Sequence, residues 1–274
     1  MTTAAALDLA TVKAGQQATW ASGDYAEIAT LIVPVAERLV DAADVRAGTS
    51  VLDVASGSGN AALAAARLGG VVTGIDYVPT LLERARERAA AERLTVDFEP
   101  GDAEAIPFPE ESYDAVLSVF GTMFAPDHRR AAAELVRVTR PGGTIALASW
   151  TPDGFIGSMF KTVASHVPPP RGLASPLLWG TEAHLTDLFG TEVAWVHRRR
   201  TFVFRFTSAE AFVDAFATYY GPTLKALEAA GPGRDALARD LRDLARSWNR
   251  LEQPGPIAVP SAYLESIGLR GGRR

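Results

Sequence analysis

The segment that most constrains the fold of this chain is VLDVASGSGN, residues 51–60. It opens with an apolar run broken only by Asp53, and Gly57 and Gly59 follow in a turn of small residues. The alanine-rich run after the turn has the composition of a helix. A short apolar strand, a glycine turn and a helix are typical of the first half of a βαβ unit. Glycine lets a ligand approach the backbone of such a turn, and the helix start offers free N–H groups.

Apolar runs alternate with helical patterns up to about residue 150. This alternation predicts a parallel, doubly wound α/β sheet with right-handed crossovers. Ligands of such sheets bind outside the carboxyl ends of the strands. The predicted strands are 50–55, 71–76, 95–100, 113–120 and 144–150, followed beyond the alternating part by 193–206 and 257–268.

Helical periodicity predicts helices before, between and after these strands. Pro34 is expected to kink the second helix or to divide it into two. Capping boxes formed by Thr80 with Glu83, and by Thr207 with Glu210, mark two helix starts. The predicted helices are 7–20, about 25–42, 80–93, 128–139, 181–189, near 208–219 and about 234–250, with one more inside 154–180.

Composition narrows the class of protein. The chain of 274 residues carries a net charge of −5, which argues against a nucleic-acid partner because phosphate binding needs a basic surface. It has no cysteine, so disulfides, thiolate metal sites and a cysteine nucleophile are excluded. No uncharged apolar run approaches membrane-spanning length, and the N-terminus lacks the pattern of a signal peptide. We therefore expect a soluble cytoplasmic protein with no membrane partner.

Several predicted strands end in groups suited to a nucleoside. Asp76, at the end of the second strand, is placed to accept hydrogen bonds from both hydroxyls of a ribose. After the third strand, Asp102 and the backbone N–H of Ala103 can read the amino edge of an adenine, and Tyr77 can cover the ring. Phe120 ends the fourth strand. Acids in this order favour a cofactor site over unrelated turn residues.

The glycine turn also matches the dinucleotide-binding pattern G-x-G-x-x-A, through Gly57, Gly59 and Ala62. An NAD(P)-dependent oxidoreductase is therefore an alternative. Charge favours another ligand, because a doubly anionic pyrophosphate is repelled by Asp53, whereas the sulfonium and ammonium groups of S-adenosylmethionine are attracted. The chain also lacks a Tyr-x-x-x-Lys catalytic pair. The methyl donor is the better fit.

Four segments resemble the class I S-adenosylmethionine-dependent methyltransferases, and within them the ubiquinone/menaquinone-type group that acts on small molecules. The resemblance covers about residues 20–150, and it implies a Rossmann-like sheet of seven mostly parallel strands with a helical cap. It also implies an antiparallel last strand between the fifth and sixth, which 193–206 and 257–268 can supply. The four segments are VLDVASGSGN, GIDYVPTLLERARER, GDAEAIPFPEESYDAVLSVFGTMFAPD and ELVRVTRPGG.

The resemblance implies a single domain in three parts and S-adenosyl-L-methionine as cofactor. Residues 1–48 would close over the cofactor, 49–150 would form the cofactor-binding core, and 151–274 would supply acceptor cap segments and the remaining strands. Gly57 and Gly59 would approach the methionine moiety. The predicted cofactor-binding residues are Trp20, Tyr25, Asp53, Ala55, Gly57, Ser58, Gly59, Asn60, Asp76, Tyr77, Asp102, Ala103 and Phe120.

The expected acceptor is a small, largely apolar molecule, under a roof formed by 151–180 and 207–225. In similar sugar and macrolide O-methyltransferases, one or two histidines precede a Pro-Asp pair and act as base. Here Met123 and Phe124 stand at those positions, before Pro126 and Asp127. The residues predicted to bind the acceptor are Met123, Phe124, Trp179 and Tyr220.

No catalytic residue is assigned from the sequence, and Ala55 departs from the family's usual first glycine. His128 and His197 are interpreted as solvated, whereas His166 or His184 could be functional because they flank the Pro-rich segment. No cluster has metal-ligand spacing, so no metal is predicted. Methyl transfer to oxygen, nitrogen or carbon would depend mainly on positioning. A related fold that binds the cofactor without transferring methyl, as a cyclase or a binding module would, stays open, as does the oligomeric state.

Overall fold

The computed structural model describes residues 8–252 and 254–271, and its centre is one seven-stranded sheet of order β3-β2-β1-β4-β5-β7-β6. From β3 to β5 in this order the strands are parallel, whereas β7 is antiparallel to both β5 and β6. The doubly wound sheet and its antiparallel last strand are thus confirmed. The strands are β1 (Ser50–Val54), β2 (Val71–Asp76), β3 (Asp97–Pro100), β4 (Tyr113–Val119), β5 (Thr139–Trp150), β6 (Val193–Phe206) and β7 (Ile257–Arg270).

Helices precede the sheet, connect its strands and form the cap. No described helix is long and apolar enough to cross a membrane. The helices are α1 (Leu9–Trp20), α2 (Tyr25–Leu31), α3 (Val33–Ala42), α4 (Asn60–Arg67), α5 (Pro79–Glu92), α6 (His128–Val138), α7 (Phe155–His166), α8 (Glu182–Phe189), α9 (Ala209–Tyr219), α10 (Gly221–Ala229) and α11 (Arg234–Ser247), with 3₁₀ turns at Thr122–Phe124, Pro176–Gly180 and Gly231–Gly233.

The differences from the predicted elements have local causes. Pro34 lies in the first turn of α3 and, having no N–H, cannot continue α2, so the predicted helix is divided. Pro79 begins α5, and Thr80 supplies no side-chain cap. Ser208, rather than Thr207, caps α9. The sequence analysis did not predict α10, which begins at a Gly-Pro pair.

The parallel strands bring the candidate binding residues to one edge of the sheet. Asp53 in β1 pairs with Gly74 in β2 and with Leu117 in β4. Asp76, the last residue of β2, pairs with Pro100 at the end of β3. The carboxyl ends of these neighbouring strands therefore lie side by side, and the loops that follow them meet there.

The N-terminal helices meet the cap helices backbone to backbone. A Cβ atom at Gly23 would lie 2.8 Å from the carbonyl oxygen of Tyr219, and one at Gly221 would lie 2.0 Å from the carbonyl oxygen of Thr19. Neither position has room for a side chain. The loop between α1 and α2 thus lies directly on the loop between α9 and α10.

Candidate functional site

A cleft at the carboxyl ends of β1, β2 and β4 encloses about 70 Å³ of free volume and is partly open to solvent. Gly59 lies behind its wall, since a Cβ there would be 3.0 Å from the ring of Phe98 and 3.2 Å from Cβ of Ala85. The other predicted cofactor residues all line the cleft. They are Trp20, Tyr25, Asp53, Ala55, Gly57, Ser58, Asn60, Asp76, Tyr77, Asp102, Ala103 and Phe120.

Asp53 is buried at the wall of the cleft, with 1% of its surface exposed. Its Oδ2 accepts a hydrogen bond of 2.9 Å from the backbone N–H of Ala62, in the first turn of α4. The N-cap residue of α4, Gly59, has no side chain for this role. Burial raises the pKa of Asp53 to about 7, although the bond from Ala62 opposes the rise. A cation nearby would lower this pKa again.

Asp76 ties the glycine turn to the loop after β2. Its Oδ2 accepts from the backbone N–H of Gly57 and its Oδ1 from that of Val78, both at 2.9 Å. Burial raises the pKa of Asp76 to about 6, against the lowering effect of these bonds. Each carboxylate oxygen has a further lone pair, so Asp76 can still accept from a ligand.

Two residues without the freedom of glycine hold left-handed backbone angles at the cleft. Ala55 has a φ of 53° and Phe120 a φ of 56°. Such angles cost a non-glycine residue roughly 1–2 kcal/mol and are concentrated at functional sites. A Cβ at Gly121 would lie 2.3 Å from the carbonyl oxygen of Ala55, so the turn after β1 touches the turn after β4. The exchange of the family's first glycine for Ala55 therefore falls on a strained position, which the sequence did not reveal.

Helix α1 covers the end of the cleft beside Asp102. The Nζ atom of Lys13 lies 2.6 Å from Asp102 Oδ2 and 2.6 Å from Glu104 Oε2. Gln17 Nε2 donates to the carbonyl oxygen of Tyr77. None of the residues of α1 is itself buried, so these polar contacts and its terminal tryptophan hold it in place.

The sequence analysis missed the polar residues of α1, whose spacing indicates a shared helix face but not what that face contacts. Lys13, Gln16, Gln17 and Trp20 recur at intervals of three and four residues and so share one helix face. Gln16 lines the cleft, and its Oε1 is buried without a hydrogen-bond partner among the described residues. Such an orphaned acceptor suits the N–H or O–H donors of a ligand.

Ser118, which the sequence placed at the end of the fourth strand but not among the binding residues, links the ends of β1 and β4. Its hydroxyl donates to the carbonyl oxygen of Val54 at 2.8 Å. Ser118 Oγ in turn accepts from the backbone N–H and from the hydroxyl of Thr122, at 2.9 and 2.8 Å. Thr122 lines the cleft, and this network fixes its position.

A smaller cavity with about 20 Å³ of free volume adjoins the cleft, which is room for about one water molecule. We call it the aromatic cavity. The rings of Phe120 and Trp150 stack in its wall, with centroids 3.8 Å apart and planes within 1° of parallel. Burial raises the pKa of both Tyr25 and Tyr220, so their hydroxyls stay protonated. The lining residues are Trp20, Tyr25, Ile28, Ile32, Phe120, Phe124, Trp150, Ile156, Phe204, Phe216 and Tyr220.

The predicted acceptor residues divide into two groups. Phe124 and Tyr220 line the aromatic cavity. Met123 and Trp179, each 1% exposed, line neither space and belong to the packed core. Trp179 packs against the rings of Phe189 and His128, with centroids at 6.1 and 5.7 Å. The sequence suggested this residue because its ring lies in the Pro-rich segment expected to roof the acceptor site, but no described residue of 167–180 lines the cleft or the cavity.

None of the histidines, all of them within the described ranges, lines the cleft or the aromatic cavity. His128 is 6% exposed rather than solvated, and its Nδ1 lies 2.9 Å from Nε2 of His184. Burial, together with His184, lowers the pKa of His128 to about 4. His166 pairs with Asp240 at 2.7 Å, and His197 Nδ1 lies 2.8 Å from the Ser266 hydroxyl. Within residues 8–252 and 254–271, no group of three or more acids and histidines could hold a metal ion.

Comparisons with known proteins agree with this geometry. A family model described as a methyltransferase domain matches residues 52–147. An uncharacterized protein of Mycobacterium tuberculosis is 44% identical over 245 residues, which cover 87% of this chain and 89% of that protein. A demethylmenaquinone methyltransferase of Deinococcus radiodurans is 39% identical over 126 residues, which cover 44% of this chain and 52% of that enzyme.

The fold is shared with solved structures. The YcgJ protein from Bacillus subtilis superposes with a TM-score of 0.61 at 20% identity, covering 87% of this chain and 98% of that one. This likeness concerns the fold alone. The family match and the alignments to the mycobacterial protein and the demethylmenaquinone methyltransferase show that the chain belongs to the class I S-adenosylmethionine-dependent methyltransferases.

Proposed function

We propose that this protein transfers the methyl group of S-adenosylmethionine to a small, largely apolar molecule bound in an enlarged form of the aromatic cavity. The observation that carries the proposal is the shared wall between the two spaces. Trp20, Tyr25, Ile32, Phe120 and Phe124 line both the cleft and the cavity. The two spaces therefore adjoin, and displacement of these side chains by an acceptor would bring the two ligands together, as a direct transfer requires.

The polar residues of the cleft fit the donor. Asp76 would accept from the ribose hydroxyls, and the unpartnered carbonyl of Gln16 would accept from an N–H or O–H group of the nucleoside. Asp102, held by Lys13, would face the adenine. Helices α1 to α3 would cover the donor, residues 49–150 would hold it, and the later segments would bound the acceptor.

The contact made by Asp53 supports this donor over a dinucleotide. In dinucleotide-binding folds the N–H groups at the start of this helix face a pyrophosphate. Here the Asp53 carboxylate already accepts a hydrogen bond from the Ala62 N–H, and the charge of Asp76 raises the pKa of Asp53 further. An anion would be repelled at this place, whereas a sulfonium or an ammonium group would relieve the repulsion between the two acids.

Positioning would supply most of the rate. S-adenosylmethionine, when bound, offers a methyl group that is already activated as part of a sulfonium. The described residues lining the aromatic cavity include no carboxylate, histidine, lysine or arginine. The chain would therefore orient the acceptor and exclude water, effects that can lower a barrier by roughly 7–11 kcal/mol. An acceptor that has a free lone pair, or that ionises readily, suits such a site, and the attacked atom stays open.

The experiment is mass spectrometry of apolar aromatic and polycyclic candidates after incubation with methyl-labelled donor. A product heavier by one labelled methyl group, formed together with S-adenosylhomocysteine, supports the proposal. The Asp76→Ala variant is the control for dependence on the donor site. Methylation confined to sugars or nucleotides would contradict the apolar acceptor.

The same experiment separates the alternatives that the fold leaves open. Rearrangement of a candidate without label, with the donor unconsumed, would identify a cyclase. Donor binding without turnover of any candidate would favour a binding module. Tight NAD binding with no response to S-adenosylmethionine in calorimetry would favour an oxidoreductase.

A further inference from the structure

Arg88 of α5 lies behind the glycine turn and holds it at several points. Its Nη1 donates to the carbonyl oxygen of Ser58 at 2.7 Å and lies 3.2 Å from the Ser58 hydroxyl. The same nitrogen donates to Asn60 Oδ1 at 2.8 Å. Asn60 Nδ2 in turn donates to the carbonyl oxygen of Ala29 in α2, also at 2.8 Å. One guanidinium thus connects α5, the turn and the N-terminal helices.

This guanidinium is partly buried without a carboxylate partner. No acidic group among the described residues lies within 4.0 Å of it. Glu92, one helical turn further on, is bound to Arg67 through both of its oxygens, each at 2.7 Å. Withdrawing a charge from water is unfavourable, so burial lowers the pKa of Arg88, although the more distant charge of Glu92 opposes the fall. An anionic group of a ligand would therefore stabilise this partly buried guanidinium.

The residues that Arg88 holds face the donor cleft, whereas Arg88 does not. Ser58 and Asn60 both line the cleft, and so does Ala29 at the end of the chain of hydrogen bonds. The described acids that line the same cleft are Asp53, Asp76 and Asp102. On the cleft side, an anionic ligand group placed against Ser58 and Asn60 would therefore be attracted by the positive charge of Arg88 behind the turn.

We propose that Arg88 is a positioning residue for the carboxylate of the donor's amino-acid moiety, acting through Ser58 and Asn60. The inference rests on the proposed use of S-adenosylmethionine. In this arrangement the acids of the cleft bind the ribose, the adenine and the cationic groups of the donor. Arg88 stabilises its carboxylate.

The test compares two ligands that differ by one group. S-adenosylhomocysteine carries the carboxylate, and 5′-S-(3-aminopropyl)-5′-thioadenosine keeps the nucleoside, the thioether and the amine but lacks it. We expect Arg88→Gln to weaken S-adenosylhomocysteine binding roughly 10- to 100-fold, as for loss of a charge-assisted contact. Binding of the decarboxylated ligand should change less than about twofold. Calorimetry measures both affinities without any turnover.

Arg86→Gln is the matched control, because Arg86 lies on the same helix, is exposed, and donates to the carbonyl oxygen of Phe98 instead of the turn. It should leave both affinities unchanged. If Arg88→Gln does not fold, Arg88→Lys keeps the charge but not the guanidinium geometry, and it should show the same selectivity with a smaller loss. Equal losses for the two ligands, or no loss, overturn the proposal. A native chain that binds neither ligand overturns the donor assignment itself.

Discussion

Asp53, the buried acid beneath the glycine turn, leads to a sharp prediction. The Asp53→Asn change should remove most of the pH dependence of donor binding. With a pKa of about 7 in the free protein, only about 3% of Asp53 is ionised at pH 5.5. If the cationic donor selects the ionised form, its affinity should fall roughly 30-fold from pH 8 to pH 5.5 through this residue alone. Asp76, with a pKa of about 6, adds a factor of about four over the same range.

The wild-type protein should therefore bind S-adenosylmethionine roughly 100-fold more weakly at pH 5.5 than at pH 8, and the variant only about fourfold. Asparagine keeps an acceptor for the Ala62 N–H, so the turn should persist. Calorimetric titrations across this range at constant ionic strength measure the two profiles. Asp97→Asn, a change of an exposed acid at the start of β3, should retain the wild-type profile.

The raised pKa of Asp53 also determines how the stability of the unliganded protein changes with pH. A folded-state pKa above the ordinary aspartate value of 3.8 means that the folded chain binds the proton more tightly than the unfolded chain. The free energy of unfolding therefore falls as the pH rises from about 4 to about 7, by roughly 4 kcal/mol in total. Asp53→Asn should thus melt higher than wild type at pH 8 and near it at pH 4. A variant with the full wild-type pH dependence of donor binding would refute the reasoning.

Four further predictions concern the rest of the site and the core beside it. Asp76→Ala should weaken donor binding by roughly 1.5–3 kcal/mol in a folded protein, and an unchanged dissociation constant in calorimetry would remove the ribose assignment. Phe204→Leu should raise the acceptor KM and leave the donor Kd unchanged, because Phe204 lines the aromatic cavity and not the cleft. Trp179→Ala should instead lower the free energy of unfolding by roughly 3–5 kcal/mol, as measured by denaturant titration. Single changes to alanine at His128, His166, His184 and His197 should each lower turnover at saturating donor by less than the 10²- to 10⁴-fold typical of a lost general base. A thousand-fold loss in any one variant, with donor affinity intact, would show that a base exists.

The cofactor half of the site was predictable because it follows from strand ends. Neighbouring parallel strands bring their carboxyl ends to one edge, so Asp53, Asp76 and Asp102 had to approach one another once the strands were recognised. Lys13 and Gln16 were harder to find, because their role depends on where α1 packs, and a polar helix face looks the same when it faces solvent. The left-handed angle of Ala55 was not predictable, since alanine rarely adopts it.

The proposed acceptor side was less predictable, because its walls come from distant segments. Trp150 ends β5, Phe204 lies in β6 and Phe216 in α9, and only the antiparallel register of β7 brings these strands together. A one-residue shift in that register would turn Phe204 to the other face of the sheet. Trp179 had the right composition and position along the chain, but it is fully packed against Phe189 and His128. Ring content alone does not distinguish a pocket from a core.

The contact through Gly23 and Gly221 has a mechanical consequence. Its closest approaches are between backbone atoms, so no change of side-chain rotamer can loosen it. An outward movement of α1 and α2 must either break this joint or carry α9 and α10 with it. In the second case the proposed donor entrance and acceptor roof would open together as one rigid unit, and the departure of one product would clear the way for the other.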